Sequence, residues 1–207
     1  MAQRVLACTG CHGKEGRATN AGYFPRIAGK PAGYLYNQLL NFRDKRRYNP
    51  AMSSLIENLS DAYLRDIAEY FAALDLPYPS AQTRSAARDE LERGETLIRS
   101  GDATKKIPAC VQCHGDKLTG ILPAVPGLLG LSKDYLIAQL GSWQTGQRHA
   151  GLPDCMATIA NRLSPTDVGA LTTWLSSQNL PGNTKPAQAL DSTQLLTLAL
   201  ACGSGFK

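Results

Sequence analysis

Two copies of the pattern Cys-x-x-Cys-His constrain this chain more than any other feature of its sequence. They occupy residues 8–12 (CTGCH) and 110–114 (CVQCH). On a helical turn the two thiols and the imidazole share one face, so both thiols reach the vinyl groups of a haem while the ring reaches its iron. A redox dithiol or half of a zinc site would also use the Cys pair, but neither explains a His directly after it. The predicted attachment residues of two haem c groups are Cys8, Cys11, Cys110 and Cys113.

The axial ligands of the two irons follow by elimination. His12 and His114 each follow an attachment pair and are the predicted proximal ligands. Only three His and three Met occur in the sequence; Met52 lies 40 residues after His12, and Met156 lies 42 after His114. This repeated offset predicts His/Met ligation, which raises the haem potential relative to bis-His ligation. Two alternatives remain: both Met residues fill gaps in the core, or His149 binds the second iron.

The two halves of the chain repeat each other beyond these motifs. At an offset of 101, residues 25–29 (PRIAG) match 126–130 (PGLLG), and YLYNQL at 34–39 matches YLIAQL at 135–140. After the methionines the offset becomes 104. Duplication of a unit that binds one haem is the simplest account of this pattern.

Helical patterns run through both repeats. Apolar spacing predicts a helix over residues 34–47, and Ser60 and Ser164 are the predicted N-caps of later helices. A further helix is expected over 90–100, ahead of the second attachment motif, whereas the helix before the first motif must be short. No alternating strand pattern is present. The sequence therefore predicts an all-α fold.

The repeats also predict the domain organisation. We expect a first domain at residues 1–76 and a second at 88–180, joined by a linker at 77–87 that its prolines stiffen. The tail, 181–207, is expected to pack on the second domain. Because units of this size bury limited surface by themselves, the haem supplies the missing apolar core, and the apoprotein should be largely unfolded.

Composition narrows the functional classes. The 207 residues carry a formal net charge of +5, and the basic cluster at 43–47 is typical of a solvated helix face rather than of a nucleic-acid site. No run approaches the ~20 apolar residues of a membrane span. No signal peptide is present in this numbering. Covalent haem attachment nevertheless predicts the periplasm or an equivalent oxidising compartment.

Two cysteines lie outside the attachment motifs. Free thiols tend to pair in an oxidising compartment, so we predict a disulfide between Cys155 and Cys202 that holds the tail against the loop of Met156. The competing hypothesis is that Cys155 itself binds the second iron. In that case the second haem would not be a simple carrier.

Together these features resemble the cytochrome c4 family of diheme class I cytochromes c from bacterial periplasms. The carrying motifs are the two attachment sites with a following Gly, the P-x-[IL]-x-G turns, the Y-L-x-x-Q-L helices and the late Met residues. The resemblance implies two cytochrome c folds about a pseudo-twofold axis, with haem edges close together. The second half, with its P-D-C-M context and Cys-containing tail, looks more like c4-type partner subunits of periplasmic dehydrogenases.

By the same resemblance, some residues support the haems without binding iron. The carbonyls of Pro25 and Pro126 would accept hydrogen bonds from the proximal His rings and fix their orientation; a plain turn proline is the alternative. Four repeated side chains would contact haem propionates. These are Tyr34, Tyr135, Arg47 and Arg148.

The predicted function is electron transfer through two six-coordinate haems, without catalysis. Electrons would come from a quinol-oxidising complex or a dehydrogenase and leave to a terminal oxidase or another acceptor. The alternative is a diheme enzyme, such as a thiosulfate dehydrogenase with a Cys-ligated haem. A third hypothesis is a tightly bound subunit that its tail, through residues 195–201, anchors to a partner.

Overall fold

The computed structural model describes residues 1–18, 23–78 and 86–206. Short 3₁₀ turns at Ala2–Val5 and Lys14–Gly16 flank the first α-helix. The α-helices of the first half are α1 (Leu6–His12), α2 (Ala32–Arg43), α3 (Pro50–Ile56) and α4 (Asp61–Ala72). Those of the second half are α5 (Arg88–Arg99), α6 (Cys110–His114), α7 (Lys133–Gln144), α8 (Cys155–Ala160) and α9 (Pro165–Ser177), followed by α10 (Ser192–Leu196) in the tail. The predicted linker, 77–87, lies mostly outside the described residues.

The predicted helix N-caps are confirmed. The Ser60 hydroxyl accepts from the backbone N–H of Tyr63 at the start of α4. The Ser164 hydroxyl accepts from the backbone N–H of Asp167, whose carboxylate accepts in turn from the backbone N–H of Ser164, completing a capping box on α9. Each bond satisfies an amide that lacks a partner within its helix.

The predicted helix over 34–47 differs from α2 at both ends. It begins at Ala32, directly after Pro31, and ends at Arg43. Lys45 has a φ of 60°, a left-handed conformation that cannot continue a right-handed helix. The chain therefore turns four residues earlier than the apolar pattern indicated, and Arg47 lies beyond the helix.

The strands are too short to give a sequence pattern. Gly120–Ile121 (β1) and Val125–Pro126 (β2) form an antiparallel pair of two residues each. The tail extends this pair at Ala187, whose backbone exchanges hydrogen bonds of 2.8 and 2.9 Å with Gly120 and Leu122. The second half thus has a small β-structure that an all-α expectation does not include.

The apolar core differs between the two halves. In the second half one continuous cluster of buried side chains joins α5, α7 and α9, with Leu97, Ile98 and Trp174 among its members. In the described part of the first half the buried side chains form two clusters, with Tyr36, Leu39 and Leu59 packed against both. One is built on Val5, Leu35, Ile67, Ala68 and Phe71, and the other on Phe42, Ile56 and Leu64.

The halves meet through reciprocal contacts. Arg47 donates to Gln38 of its own half at 3.0 Å and to Gln139 of the other half. Arg148 donates to Gln139 at 2.7 Å and to Gln38 at 3.0 Å. The backbones of Arg47 and Arg148 also form an antiparallel bridge. The Arg of each half thus donates to the Gln of the other half. Such an exchange of equivalent contacts is the pattern that a twofold axis produces.

The architecture is therefore predominantly α-helical, with two repeated halves in tandem and a short strand pair in the second half. No helix within the described ranges is long and apolar enough to cross a membrane.

Candidate haem sites

Each attachment motif forms a short helix that ends at its histidine. α1 ends at His12 and α6 ends at His114. Both helices stop because the next residue, Gly13 or Gly115, has a positive φ, of 75° and 83° respectively. The helical spacing brings the two cysteines and the imidazole of each motif to one side of the helix.

The proximal rings are fixed by the turns that follow. His12 Nδ1 lies 2.9 Å from the carbonyl oxygen of Pro25, and His114 Nδ1 lies 2.8 Å from that of Pro126. Both imidazoles are 8% exposed, and burial lowers their pKa although the proline carbonyl acts in the opposite direction. A neutral ring whose Nδ1–H donates to a carbonyl keeps Nε2 as the nitrogen that can bind iron.

The two methionines lie near the starts of their helices. Met52 belongs to the first turn of α3, where its backbone N–H donates to the N-cap side chain of Asn49 at 3.1 Å. Met156 belongs to the first turn of α8, whose N-cap is Asp154. Both are half-buried. His149, the rival ligand, is exposed, and its backbone N–H donates to the carbonyl of Arg46.

One continuous cavity brings these residues together from both halves. Its wall includes the four motif cysteines, the two motif histidines, His12 and His114, and both methionines. Apolar side chains such as Phe71 and Leu136 form much of the remainder. A cavity with a thiol pair and an imidazole on one side and a thioether as the further donor has the donor set that haem c uses.

The proposed propionate contacts lie where the halves meet. Tyr34, Tyr135, Arg47 and Arg148 all line the cavity. Tyr135 accepts a hydrogen bond from Arg47 at 3.3 Å, and Arg148 is 5% exposed, with its pKa lowered by burial. Within the described part of the chain neither arginine forms an ion pair with a carboxylate. Arg148 is buried and Arg47 is half-buried, and the propionates of haem would supply acidic groups for both.

A further buried cation was not predicted from the sequence. Lys30 is 5% exposed and donates from Nζ to the carbonyl of Gly127 at 3.1 Å, across the boundary between the halves. Burial lowers its pKa to about 8, and the neighbouring Arg26 contributes to the shift. The signal was present in the repeat, because Leu131 is the matching residue at offset 101. The alignment of the two repeats pairs a charged residue with an apolar one at this position, so the halves differ there.

The chemistry of the thiols disfavours the two rival interpretations of the motifs. Burial raises the pKa of Cys8 and Cys113, and burial together with Cys113 raises the pKa of Cys110 to about 12. A redox dithiol needs a lowered thiol pKa. Among the residues that the structure describes, no three His, Cys, Asp or Glu side chains cluster as a metal ion would need. The zinc interpretation therefore lacks a ligand set.

The remaining cysteines lie beside the second site. The sulfur atoms of Cys155 and Cys202 are at bonding distance, and their Cα atoms are 5.1 Å apart. Both residues line the cavity. The tail is also held by the Gly203 N–H, which donates to the carbonyl of Pro153, and by Ser204, whose carbonyl accepts from the Asn37 side chain at 3.0 Å. It therefore contacts both halves.

Known proteins resemble the chain over most of its length, although no protein-family model matches it. The thiosulfate dehydrogenase electron acceptor of Thiomonas intermedia (strain K12) is 37% identical over 186 residues, which are 89% of this chain and 84% of that protein. A cytochrome c4 of Pseudomonas aeruginosa is 34% identical over 83% of this chain and 84% of its own length.

Two solved structures share the fold. Reduced recombinant cytochrome c4 from Pseudomonas stutzeri superimposes with a TM-score of 0.73 at 29% identity, covering 85% of this chain and 95% of that one. The thiosulfate dehydrogenase TsdBA from Marichromatium purpuratum gives a TM-score of 0.74 at 33% identity over 84% of this chain. The match covers 36% of that longer chain. The protein therefore belongs to the cytochrome c4 family, as an electron-transfer cytochrome with two covalently bound haem c groups.

Proposed function

We propose that His12 with Met52, and His114 with Met156, are the axial ligands of the two irons. The observation that carries this proposal is the single cavity lined by both pairs of residues and by all four attachment cysteines. The Nδ1 contacts to Pro25 and Pro126 support it because they hold the histidine rings by the nitrogen that does not bind iron. Bound haem c supplies a one-electron couple between ferric and ferrous iron.

The methionine proposal is tested by single substitutions. In Met52→Ala or Met156→Ala, we expect the long-wavelength Met-sulfur-to-ferric-iron absorption band to fall to about half, because one of two haems loses its thioether ligand. The potential of the affected haem should also fall. An unchanged band in either variant would show that the residue is not a ligand. His149→Ala serves as the matched control and should leave the band intact.

We assign the sulfur pair at Cys155 and Cys202 to a disulfide, which leaves Cys155 without a thiolate for iron. The bonding distance between the sulfur atoms supports this assignment. Mass labelling of the unreduced protein with a thiol reagent should find no reactive cysteine. Two labelled cysteines would contradict the disulfide and reopen Cys155 as a ligand.

The propionates of the two haems are proposed to meet Tyr34, Tyr135, Arg47 and Arg148 at the boundary between the halves. The unpaired charges of the arginines in the cavity support this arrangement. It would also place the two haems close together, so that an electron entering at one passes to the other. We retain domain bounds of 1–76 and 88–180 with a tail from 181.

The proposed donor is a thiosulfate dehydrogenase, and the proposed acceptor is a terminal oxidase. Two relatives, 37% and 36% identical to this chain, are named thiosulfate dehydrogenase electron acceptors, and TsdBA carries a region of the same fold. We place the reaction in the periplasm, where haem c attachment and a stable disulfide both occur.

The partner is tested with purified proteins. Mixing the ferric protein with a thiosulfate dehydrogenase and thiosulfate should reduce both haems within seconds. Thiosulfate alone should not reduce them, because six-coordinate irons leave no open position for substrate. Reduction by thiosulfate without the dehydrogenase would favour the enzyme hypothesis. If the dehydrogenase does not reduce the haems but a quinol-oxidising complex does, the proposed donor is wrong and the quinol-oxidising complex takes its place.

A further inference from the structure

Lys30 lies at a point where the two repeats differ. In the first half Pro25, which holds His12, is followed by Arg26; in the second half Pro126, which holds His114, is followed by Gly127. A side chain does not fit at Gly127, because a Cβ there would lie 2.6 Å from the carbonyl oxygen of Thr119. The turn beneath the second haem therefore has no charge of its own at this position.

Lys30 of the first half brings a charge to that turn. Its Nζ donates to the Gly127 carbonyl at 3.1 Å, one residue from the carbonyl that accepts from His114. The side chain lines the cavity and is 5% exposed, so water screens its charge poorly. No carboxylate among the described residues forms an ion pair with it.

We propose that Lys30 is a positioning residue that carries a positive charge across the domain boundary and raises the reduction potential of the second haem. This inference rests on the proposed ligation of that haem by His114 and Met156. Reduction of ferric to ferrous iron adds one electron and lowers the local charge by one. A fixed cation nearby stabilises the reduced form relative to the oxidised form. The matching residue in the second half, Leu131, is neutral, whereas the turn that holds His12 has its own buried cation, Arg26.

Lys30 thus makes the potential of the second haem depend on the first half. Arg26 bonds within its own half, whereas the Lys30 contact crosses the domain boundary. Loss of that contact should lower the potential of the second haem, while Arg26 stays beside the turn that holds His12.

The experiment isolates the second haem in the intact diheme protein. Met52→His removes the Met-sulfur-to-iron band of the first haem, so that the band that remains reports the second haem alone. In that background, the band is followed in a redox titration with and without Lys30→Met. We expect the reduction equilibrium constant of the second haem to fall about tenfold, which is a 59 mV lower potential for one electron.

Three control variants separate charge from shape. Lys30→Arg keeps the positive charge. The reduction equilibrium constant of the second haem should therefore stay within threefold of the parent value. Lys30→Gln removes the charge but retains a donor for the Gly127 carbonyl, so it should lower the reduction equilibrium constant as Lys30→Met does. It replaces Lys30→Met if that variant does not fold. Leu131→Met, the neutral change at the matching position, should have no effect.

The outcomes distinguish the inference from the proposed function. A band missing in the Met52→His background would overturn the ligation by Met156. A band that is present but titrates identically with and without Lys30 would overturn the role of Lys30 alone. An equal fall of the reduction equilibrium constant in Lys30→Arg and Lys30→Met would also overturn the role of Lys30, because Lys30→Arg keeps the charge.

Discussion

The first and second halves of this cytochrome repeat an attachment motif, its histidine and a later methionine in different surroundings. The second half has one continuous apolar cluster, whereas the buried side chains of the first half form two clusters. The second half also has a buried carboxylate, Asp167, and the paired sulfurs of Cys155 and Cys202. The repeated ligands therefore do not require a repeated core. We infer that the first half depends more on its haem for folding than the second half does.

The largest effect is expected from removing one haem at a time. A variant with Cys8→Ala and Cys11→Ala should carry one haem per chain instead of two, as a pyridine haemochrome assay measures. Its first half should be digested rapidly in limited proteolysis, because without haem its buried side chains form only two small clusters.

The matched variant has Cys110→Ala and Cys113→Ala. It should also carry one haem, but α5 and α9 should resist the protease longer, because Leu97, Ile98 and Trp174 still pack in one cluster. Equal digestion of the two haem-free halves would contradict the proposed difference between the cores.

A smaller effect is expected at Asp167, whose side chain is 4% exposed. It accepts hydrogen bonds from Arg93 at 2.7 Å, from Lys105 at 2.5 Å and from the Ser164 hydroxyl at 2.8 Å. Asp167→Asn should lower the free energy of unfolding of the second half by about 2 kcal/mol, since the charge-assisted bonds are lost. Denaturation followed by circular dichroism measures it. Asp61→Asn, at an exposed carboxylate of the first half, is the control and should change little.

The same carboxylate predicts an acid dependence. Burial by itself would raise the pKa of Asp167, but the hydrogen bonds from Lys105, Arg93 and Ser164 together hold it well below the ordinary value of 3.8. A lowered pKa stabilises the fold above pH 3.8, and this contribution is lost as the pH falls further. The stability of the parent should therefore fall more steeply below about pH 4 than that of Asp167→Asn. Parallel curves would contradict the assignment.

The smallest expected effect is the difference in stability loss between substitutions at the two N-caps. Ser60→Ala removes one hydrogen bond to the Tyr63 amide and should cost about 1 kcal/mol. Ser164→Ala removes the matching bond and also the hydroxyl that donates to Asp167, so it should cost slightly more, about 1.5 kcal/mol. Thermal unfolding of the two variants measures the difference. A larger loss in Ser60→Ala would reverse the comparison.

The features that the sequence predicted correctly depend on short-range order. The N-caps at Ser60 and Ser164 are local hydrogen bonds within one turn, and the diheme character follows from two five-residue motifs. The end of α2 at Arg43 was missed because the left-handed Lys45 leaves no apolar signal.

Other features depend on contacts between distant parts of the chain. The bridge at Ala187 joins residues from separate segments, so no periodicity reports it. Lys30 donates to the Gly127 carbonyl of the second half, a contact that a pattern within the first half does not show. Comparing the repeats position by position would have exposed this residue, since its match is Leu131.

The reciprocal contacts of Arg47 with Gln139 and of Arg148 with Gln38 have an evolutionary consequence. A single-haem ancestor that paired with its own copy would make both contacts with one Arg and one Gln, so every substitution would change the two subunits at once. Joining the copies in one gene releases that constraint. Each half can then acquire residues that the other does not share, and two equivalent haems in a pair of chains become two distinct haems in one chain.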